Sequence, residues 1–101
     1  MAMIPITAAT TSAVTTQAFA DLSAYKWGAL ACKLAGAEEV DIYTLAGPDW
    51  VLATDESGTA KKLTASIPKL RLEGGIVYGV LKDATAAAVA VWLELGPGKS
   101  E

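Results

Sequence analysis

Two β-prone runs flank a turn-forming Gly-Pro-Asp triplet within residues 40–54, and this stretch constrains the fold more than any other part of the chain. Side chains alternate between two faces through both runs, with Val40 and Ile42 on one face of the first run and Asp41 and Tyr43 on the other. Glycine and proline between the runs are typical of a tight turn. The stretch therefore predicts a β-hairpin.

The chain after this hairpin continues as short β-prone runs separated by turns. The runs are residues 62–65, 69–73, 76–81 and 86–95. The last run is rich in alanine, which suits a helix, but Val89, Val91 and Trp92 favour a strand. We therefore predict strands throughout this half of the chain.

Residues 23–35 fit either a helix or a strand. At helical spacing, Trp27, Leu30 and Leu34 share one face. Gly28 in the middle of the segment weakens a helix, and the aromatic side chain of Trp27 favours a strand. Because the later segments are all β-prone, we predict a strand here as well.

A chain of 101 residues is long enough for one domain with a core. Seven or more short strands at spacings of about 8–12 residues predict an all-β, single-domain β-sandwich or jelly-roll-like barrel. Residues 1–16 are rich in threonine and alanine and are expected to form an extended N-terminal arm. The sandwich is expected over residues 17–96, with a short polar tail at 97–101. We expect Trp50 and Trp92 to anchor the core, since large aromatic side chains dominate small cores.

The residue types that most catalytic and metal sites need are scarce. The chain has no histidine and a single cysteine, Cys32, which excludes Ser-His-Asp and Cys-His arrangements and Cys/His zinc sites. We expect Cys32 to be a small buried hydrophobic residue. A calcium site built from Asp49, Asp55 and Glu56 is an alternative, but the EF-hand spacing is absent, so we expect solvated turn charges. The sequence thus predicts no enzymatic activity, no cofactor and no bound metal.

Charge and hydropathy limit the kinds of partner. The net charge is −3, and no basic stripe is present that would neutralise phosphates, so we expect no binding to nucleic acid. The longest mainly apolar stretch, residues 84–95, is too short to span a bilayer, so we expect no membrane association. The low charged fraction of 19% suggests that partners cover part of the surface.

From Leu34 onward, the order of turns and strands is similar to that of a known group of proteins. The landmarks are residues 34–40 before the hairpin, residues 55–60 and 62–65, the strand at 70–72, the glycine pair at 74–75 with residues 76–79, and residues 82–85 before the last strand. This order resembles small β-sandwich virion proteins of tailed bacteriophages, most of all head decoration (cement) proteins. The resemblance covers roughly two-thirds of the chain and rests on patterning, without a catalytic signature.

The resemblance implies a non-enzymatic structural protein that binds the outside of an assembled phage capsid and stabilises contacts between major capsid subunits. It further implies a homo-oligomer, a dimer or a trimer, made in the host cytoplasm and located on the capsid exterior of the virion. Binding on a repeating lattice would gain from avidity, because many weak contacts act together.

Five residues are candidate partner contacts. Ile4, Pro5 and Ile6 lie in the expected arm, which could pair with a neighbouring subunit, and Tyr43 and Trp50 lie close to the hairpin turn. If Tyr43 and Trp50 are exposed together, they suit a small carbohydrate-binding module, which is one alternative function. Another alternative is a phage tail, adaptor or fibre-base module, which the sequence does not separate from a decoration protein.

Overall fold

The computed structural model describes residues 2–100, and this range contains nine β-strands and no helix. The strands are β1 Met3–Thr10, β2 Val14–Asp21, β3 Trp27–Ala31, β4 Val40–Ala46, β5 Asp49–Leu52, β6 Lys62–Leu63, β7 Lys69–Glu73, β8 Val77–Lys82 and β9 Val89–Leu95. Sheet 1 has the order β1-β9-β3-β7. Sheet 2 has the order β2-β8-β4-β5, and the short β6 also pairs with β4.

The strands pair from the two ends of the chain towards its middle. β1 pairs with β9, β2 with β8, β3 with β7 and β4 with β5, all antiparallel. The chain is thus one long hairpin that is rolled until β9 also pairs with β3 and β8 also pairs with β4. This is the strand order of a double-sheet jelly roll. The predicted all-β sandwich is confirmed.

Gly47 and Pro48 form the tip of this long hairpin, between β4 and β5. Gly47 has a φ of 64°, in the left-handed region that a residue with a side chain enters only at a cost. The predicted hairpin over residues 40–54 is therefore confirmed. Its turn needs a positive φ, and Gly47 is the residue that supplies it.

The core lies between the two sheets and is mainly aliphatic. Its largest fully buried side chains are Leu22, Leu30, Ile42, Leu63, Leu72, Leu93, Val40, Val80 and Val91. The prediction that Trp50 and Trp92 anchor it is wrong, since Trp92 is 41% exposed and Trp50 only half-buried. Trp92 points outward because the neighbouring residues, Val91 and Leu93, take the inward positions of β9.

The ambiguous segment 23–35 contains β3, so the predicted strand is confirmed. β3 lies inside sheet 1, between β9 and β7. A Cβ atom on Gly28 would lie 2.5 Å from a methyl group of Leu22 and 2.9 Å from the carbonyl oxygen of Glu94. The glycine that weakens a helix is thus needed for close packing in the sheet. Cys32, just after β3, is buried as predicted, and its burial raises the pKa of its thiol.

The N-terminal residues differ from the expected extended arm. Residues 3–10 are extended, but they form β1, which pairs with β9 of the same chain, and residue 16 lies inside β2. Ile6 packs against the core, and the buried Thr7 accepts a hydrogen bond from the backbone N–H of Val91 at 3.1 Å. This bond falls where the β1–β9 register shifts, so a short polar side chain replaces a backbone partner there. A local pattern cannot show a partner so distant in sequence.

The described part of the expected tail, residues 97–100, is also tied to the sandwich. The N–H of Lys26 donates to the carbonyl of Pro97 at 2.9 Å, and the N–H of Lys99 donates to the carbonyl of Ala24 at 2.9 Å. These two bonds hold the chain end against the connection between β2 and β3.

Replacing Thr7 by valine tests whether β1 is an integral strand. The variant keeps the shape of the side chain but leaves the N–H of Val91 without its acceptor, so we expect the free energy of unfolding to fall by about 1–3 kcal/mol. Urea denaturation measures it. Thr11→Val, at an exposed position between β1 and β2, is the control and should change stability by less than about 0.5 kcal/mol. Equal effects of the two variants would contradict the assigned role of Thr7.

Candidate interaction surface

Sheet 2 turns large apolar side chains outward along the hairpin. Tyr43 lies opposite Leu52, and Leu45 lies opposite Trp50. These positions of β4 alternate with Ile42, which is fully buried on the inner face. Leu45 and Leu52 are 50% and 46% exposed, and both aromatic side chains are half-buried. The outer face of the hairpin is thus a row of partly exposed apolar groups.

Phe19 extends this row to the open edge of sheet 2. Gly79 of β8 lies opposite both Phe19 of β2 and Tyr43 of β4, so all three share the outer face. Phe19 is 63% exposed, and its ring centroid lies 5.8 Å from that of Trp50 with an interplanar angle of 31°. We call the whole set the sheet-2 patch. It consists of Phe19, Tyr43, Leu45, Trp50 and Leu52.

Gly79 makes the contact between the two rings possible. A Cβ atom at this position would lie 2.9 Å from the ring of Trp50 and would collide with the side-chain oxygen of Gln17. Because no side chain is present, the indole of Trp50 reaches across β4 and meets Phe19. The Gln17 oxygen is buried and accepts no hydrogen bond from the residues that the structure describes. Gly79, within an otherwise apolar run, is the sequence signal that could have predicted this contact.

Sheet 1 presents a different outer face. Trp92 lies opposite Pro5 and Ala31, next to an open groove of about 520 Å³. Charged side chains occupy the same sheet: the Lys69 ammonium lies 2.6 Å from the Glu94 carboxylate, and the Arg71 guanidinium lies 4.4 Å from the Trp27 ring centroid. Charged side chains therefore lie among its apolar groups, whereas charged residues on the outer face of sheet 2, such as Asp21 and Asp41, flank the patch at its rim.

The structure separates the predicted contact residues into two groups. Tyr43 and Trp50 share the sheet-2 patch at diagonal positions of paired strands, and both are half-buried. The other three lie on sheet 1: Ile4 is 43% exposed, Pro5 faces outward beside Trp92, and Ile6 packs on the core. A single flat partner surface therefore cannot cover both groups. Three further patch residues, Phe19, Leu45 and Leu52, were not predicted. Leu45 and Leu52 belong to the same hairpin as Tyr43 and Trp50, so its alternation could have placed them, whereas Phe19 joins through β8 from a strand distant in sequence.

The acidic residues act as turn and loop groups. Asp49 and Glu56 are exposed, and one oxygen of Asp55 accepts hydrogen bonds from the hydroxyl of Ser57 at 2.7 Å and from the N–H of Thr59 at 3.0 Å. Within residues 2–100, no group of three or more His, Cys, Asp or Glu could hold a metal ion. In the same range, no helix is long and apolar enough to cross a membrane.

Comparison with known protein families, with curated proteins and with solved structures found no match to this chain. The fold and the chemistry of the sheet-2 patch are therefore the structural basis for a functional proposal. The sheet-2 patch is the surface whose composition points to a partner.

Paired substitutions of Phe19 and Trp50 test the contact that organises the patch. We expect a double-mutant cycle with Phe19→Leu and Trp50→Leu to give a coupling of about 0.5–1.5 kcal/mol in the free energy of unfolding, because tilted aromatic pairs contribute beyond their buried area. Chemical denaturation of the four proteins measures it. The control cycle pairs Phe19→Leu with Trp92→Leu, which lies on the other sheet and should be additive. A Phe19–Trp50 cycle that is also additive would contradict the contact.

Asp55→Asn tests the role of the turn carboxylate through its pH dependence. The hydroxyl of Ser57 and then the N–H of Thr59 hold the pKa of Asp55 below its ordinary value. Its contribution to stability is therefore fully present above about pH 4 and is lost as the pH falls through the lowered pKa. We expect the melting temperature of Asp55→Asn to fall less between about pH 5 and pH 2 than that of the wild type. Glu56→Gln, at the next residue, is the control and should follow the wild-type curve; identical curves for all three proteins would refute the prediction.

Proposed function

We propose that this protein is a non-enzymatic structural component of a tailed-bacteriophage virion. In this role it binds the outside of the assembled capsid and stabilises contacts between major capsid subunits. The observation that carries the proposal is the sheet-2 patch, a continuous set of large apolar side chains on the outer face of a small sandwich. Large contiguous apolar surfaces on proteins of this size mark interaction sites.

Two further features support a capsid partner. The order of turns and strands after Leu34 resembles that of head decoration proteins, as described above. The jelly-roll strand order is also used by viral capsid proteins. Because one fold hosts many functions, the strand order supports the proposal only together with the patch.

The geometry of the patch suits attachment to a preformed protein surface. Tyr43 and Leu45 stand on β4, which is hydrogen-bonded to β8 on one side and to β5 on the other, so their positions are fixed before binding. Preorganised side chains lose little conformational entropy when a partner covers them. Tyrosine and tryptophan are also the residue types that most often dominate binding energy at interfaces. On a repeating shell, many copies of this modest contact would act together.

Carbohydrate binding is the second candidate, and one observation favours it. The indole of Trp50 lies over Gly79 with no side chain between them, and Tyr43 stands beside it on the same face. Such an aromatic platform can stack against the apolar face of a sugar ring, and lectins also use the jelly roll. Titration with a glycan panel, followed by tryptophan fluorescence, distinguishes this candidate from protein binding.

Quantitative mass spectrometry of phage particles tests the proposal directly. Particles are purified from cells that carry the gene, and the protein is expected in a copy number close to that of the major capsid protein. Particles prepared without the protein are then incubated with purified variants. We expect Trp50→Ser or Leu52→Ser to lower occupancy by about thirtyfold, as loss of an interface anchor does. Trp92→Ser, on the outer face of sheet 1, is the matched control and should bind normally.

The other outcomes assign the protein elsewhere. Presence in far fewer copies than the capsid protein would indicate a tail or adaptor module. Absence from particles, together with a fluorescence response to one glycan, would indicate a carbohydrate-binding module. Loss of occupancy with Trp92→Ser alone would place the contact on sheet 1. Thermal melts of each variant confirm that it is folded.

A further inference from the structure

The four edge strands of the sandwich are not equally open to another strand. β1 contains Pro5 and two register shifts, both of which obstruct pairing. β7 carries Lys69, Arg71 and Glu73, and charged side chains on an edge discourage pairing. β5 has only four residues. Three of the four edges thus have a feature that protects them.

β2 is the exception. It has eight residues, contains no proline, and has one charged residue, Asp21, at its end. Its pairing with β8 is irregular only between Val14 and Ala18, and residues 18–21 pair in regular register. The second half of β2 is therefore a regular edge without the usual protection.

The direction of the backbone groups in β2 follows from the neighbouring strands. The N–H of Asp83 donates to the carbonyl of Glu39 at 3.0 Å, so Glu39 directs its polar groups towards β8. Backbone polar groups alternate in direction along a strand, so the N–H and C=O of Tyr43 also point towards β8. Those of its partner Gly79 point towards β4. Phe19, which is opposite Gly79 on the other side, receives no ladder bond from β8. Its N–H and C=O therefore point to the open edge.

A second hydrogen bond supports the same assignment. The N–H of Leu22, which follows β2, donates to the carbonyl of Ile76 at 3.0 Å. The backbone N–H and C=O of Leu22 therefore point towards β8, and by alternation so do those of Ala20 and Ala18. Phe19 and Asp21 are left with outward backbone groups.

We propose that two copies of this chain pair antiparallel through their β2 edges, with Phe19 of one copy opposite Phe19 of the other. Such an interface has two-fold symmetry, and each copy supplies the same donors and acceptors to its partner. Sheet 2 then continues from one copy into the next. Each Phe19 also packs on Trp50 of its own copy, so four aromatic rings form one row across the interface.

Charge favours a second copy in this register over other pairings. With Phe19 opposite Phe19, Asp21 of each copy falls opposite the uncharged Gln17 of the other, so its carboxylate, which already accepts hydrogen bonds from Ser23, meets no like charge. Moving the two-fold axis to Asp21 would bring two carboxylates together, which is destabilising. Moving it to Ala20 would place each carboxylate beside a Phe19 ring. The edge is thus complementary to itself in one register.

The dimer does not depend on capsid binding, because it uses the edge of β2 and leaves Leu45, Leu52 and the half-buried Trp50 uncovered for another partner. It would place two sheet-2 patches side by side on one continuous sheet. A failure of the dimer would therefore leave the capsid proposal standing, and the reverse also holds.

Light scattering after size-exclusion chromatography tests the oligomeric state of the full chain. We expect the wild type to have twice its monomer mass of 10.4 kDa at high protein concentration. Phe19→Lys should raise the dissociation constant by about tenfold or more, because it places a charge at the centre of the interface. Trp92→Lys, a matched substitution of an exposed aromatic residue on sheet 1, should leave the constant unchanged. Circular dichroism confirms folding.

Cysteine crosslinking tests the register and remains informative if Phe19→Lys does not fold. The native Cys32 is buried, so a short bis-maleimide should give the wild type no covalent dimer. Phe19→Cys should crosslink efficiently, and Trp92→Cys should not. A wild type that is monomeric at all concentrations, or equal crosslinking of the two cysteine variants, would overturn the proposal.

Discussion

The antiparallel pairing of β4 with β5 is the contact from which the rest of the structure follows. Its register, set at the Gly47 turn, places Ile42 inward and Tyr43 outward. A slip of one residue would exchange the two faces of the strand. Because β8 pairs with β4 and β2 with β8, the same register decides which residues of sheet 2 line the core and which form the sheet-2 patch. The β4–β5 register thus determines both which side chains stabilise the core and which form the outer apolar surface.

The parts of the fold that the sequence predicted are those with local signals. The hairpin has a turn that requires glycine, and Gly28 argues against a helix through its own backbone preference. Local signals did not show whether Trp92 points into the core or towards solvent. Val91, Trp92 and Leu93 are all apolar, so the sequence shows no alternation from which to tell the inner face of β9 from the outer one.

Non-local pairing explains the other differences. The residues after Ile6 are small, and the segment was predicted to be an arm because Val91, the partner of Thr7, is far away in the sequence. The sheet-2 patch was only partly predicted for the same reason. Tyr43 and Trp50 lie in one hairpin and could be paired by inspection, whereas Phe19 joins them across β8 at Gly79.

The pairing of the first strand with the last has a consequence for synthesis of the chain on the ribosome. Sheet 1 cannot close until β9 emerges, because β9 lies between β1 and β3. Such long-range pairing slows folding and prolongs the exposure of unpaired strands. The strand that waits longest is β1, in which Pro5 separates Met3 and Ile4 from Ile6 and the remaining residues are threonine and alanine. Its composition therefore lets the nascent chain remain unpaired without a strongly aggregating N-terminus, while its backbone still supplies a full strand when β9 arrives.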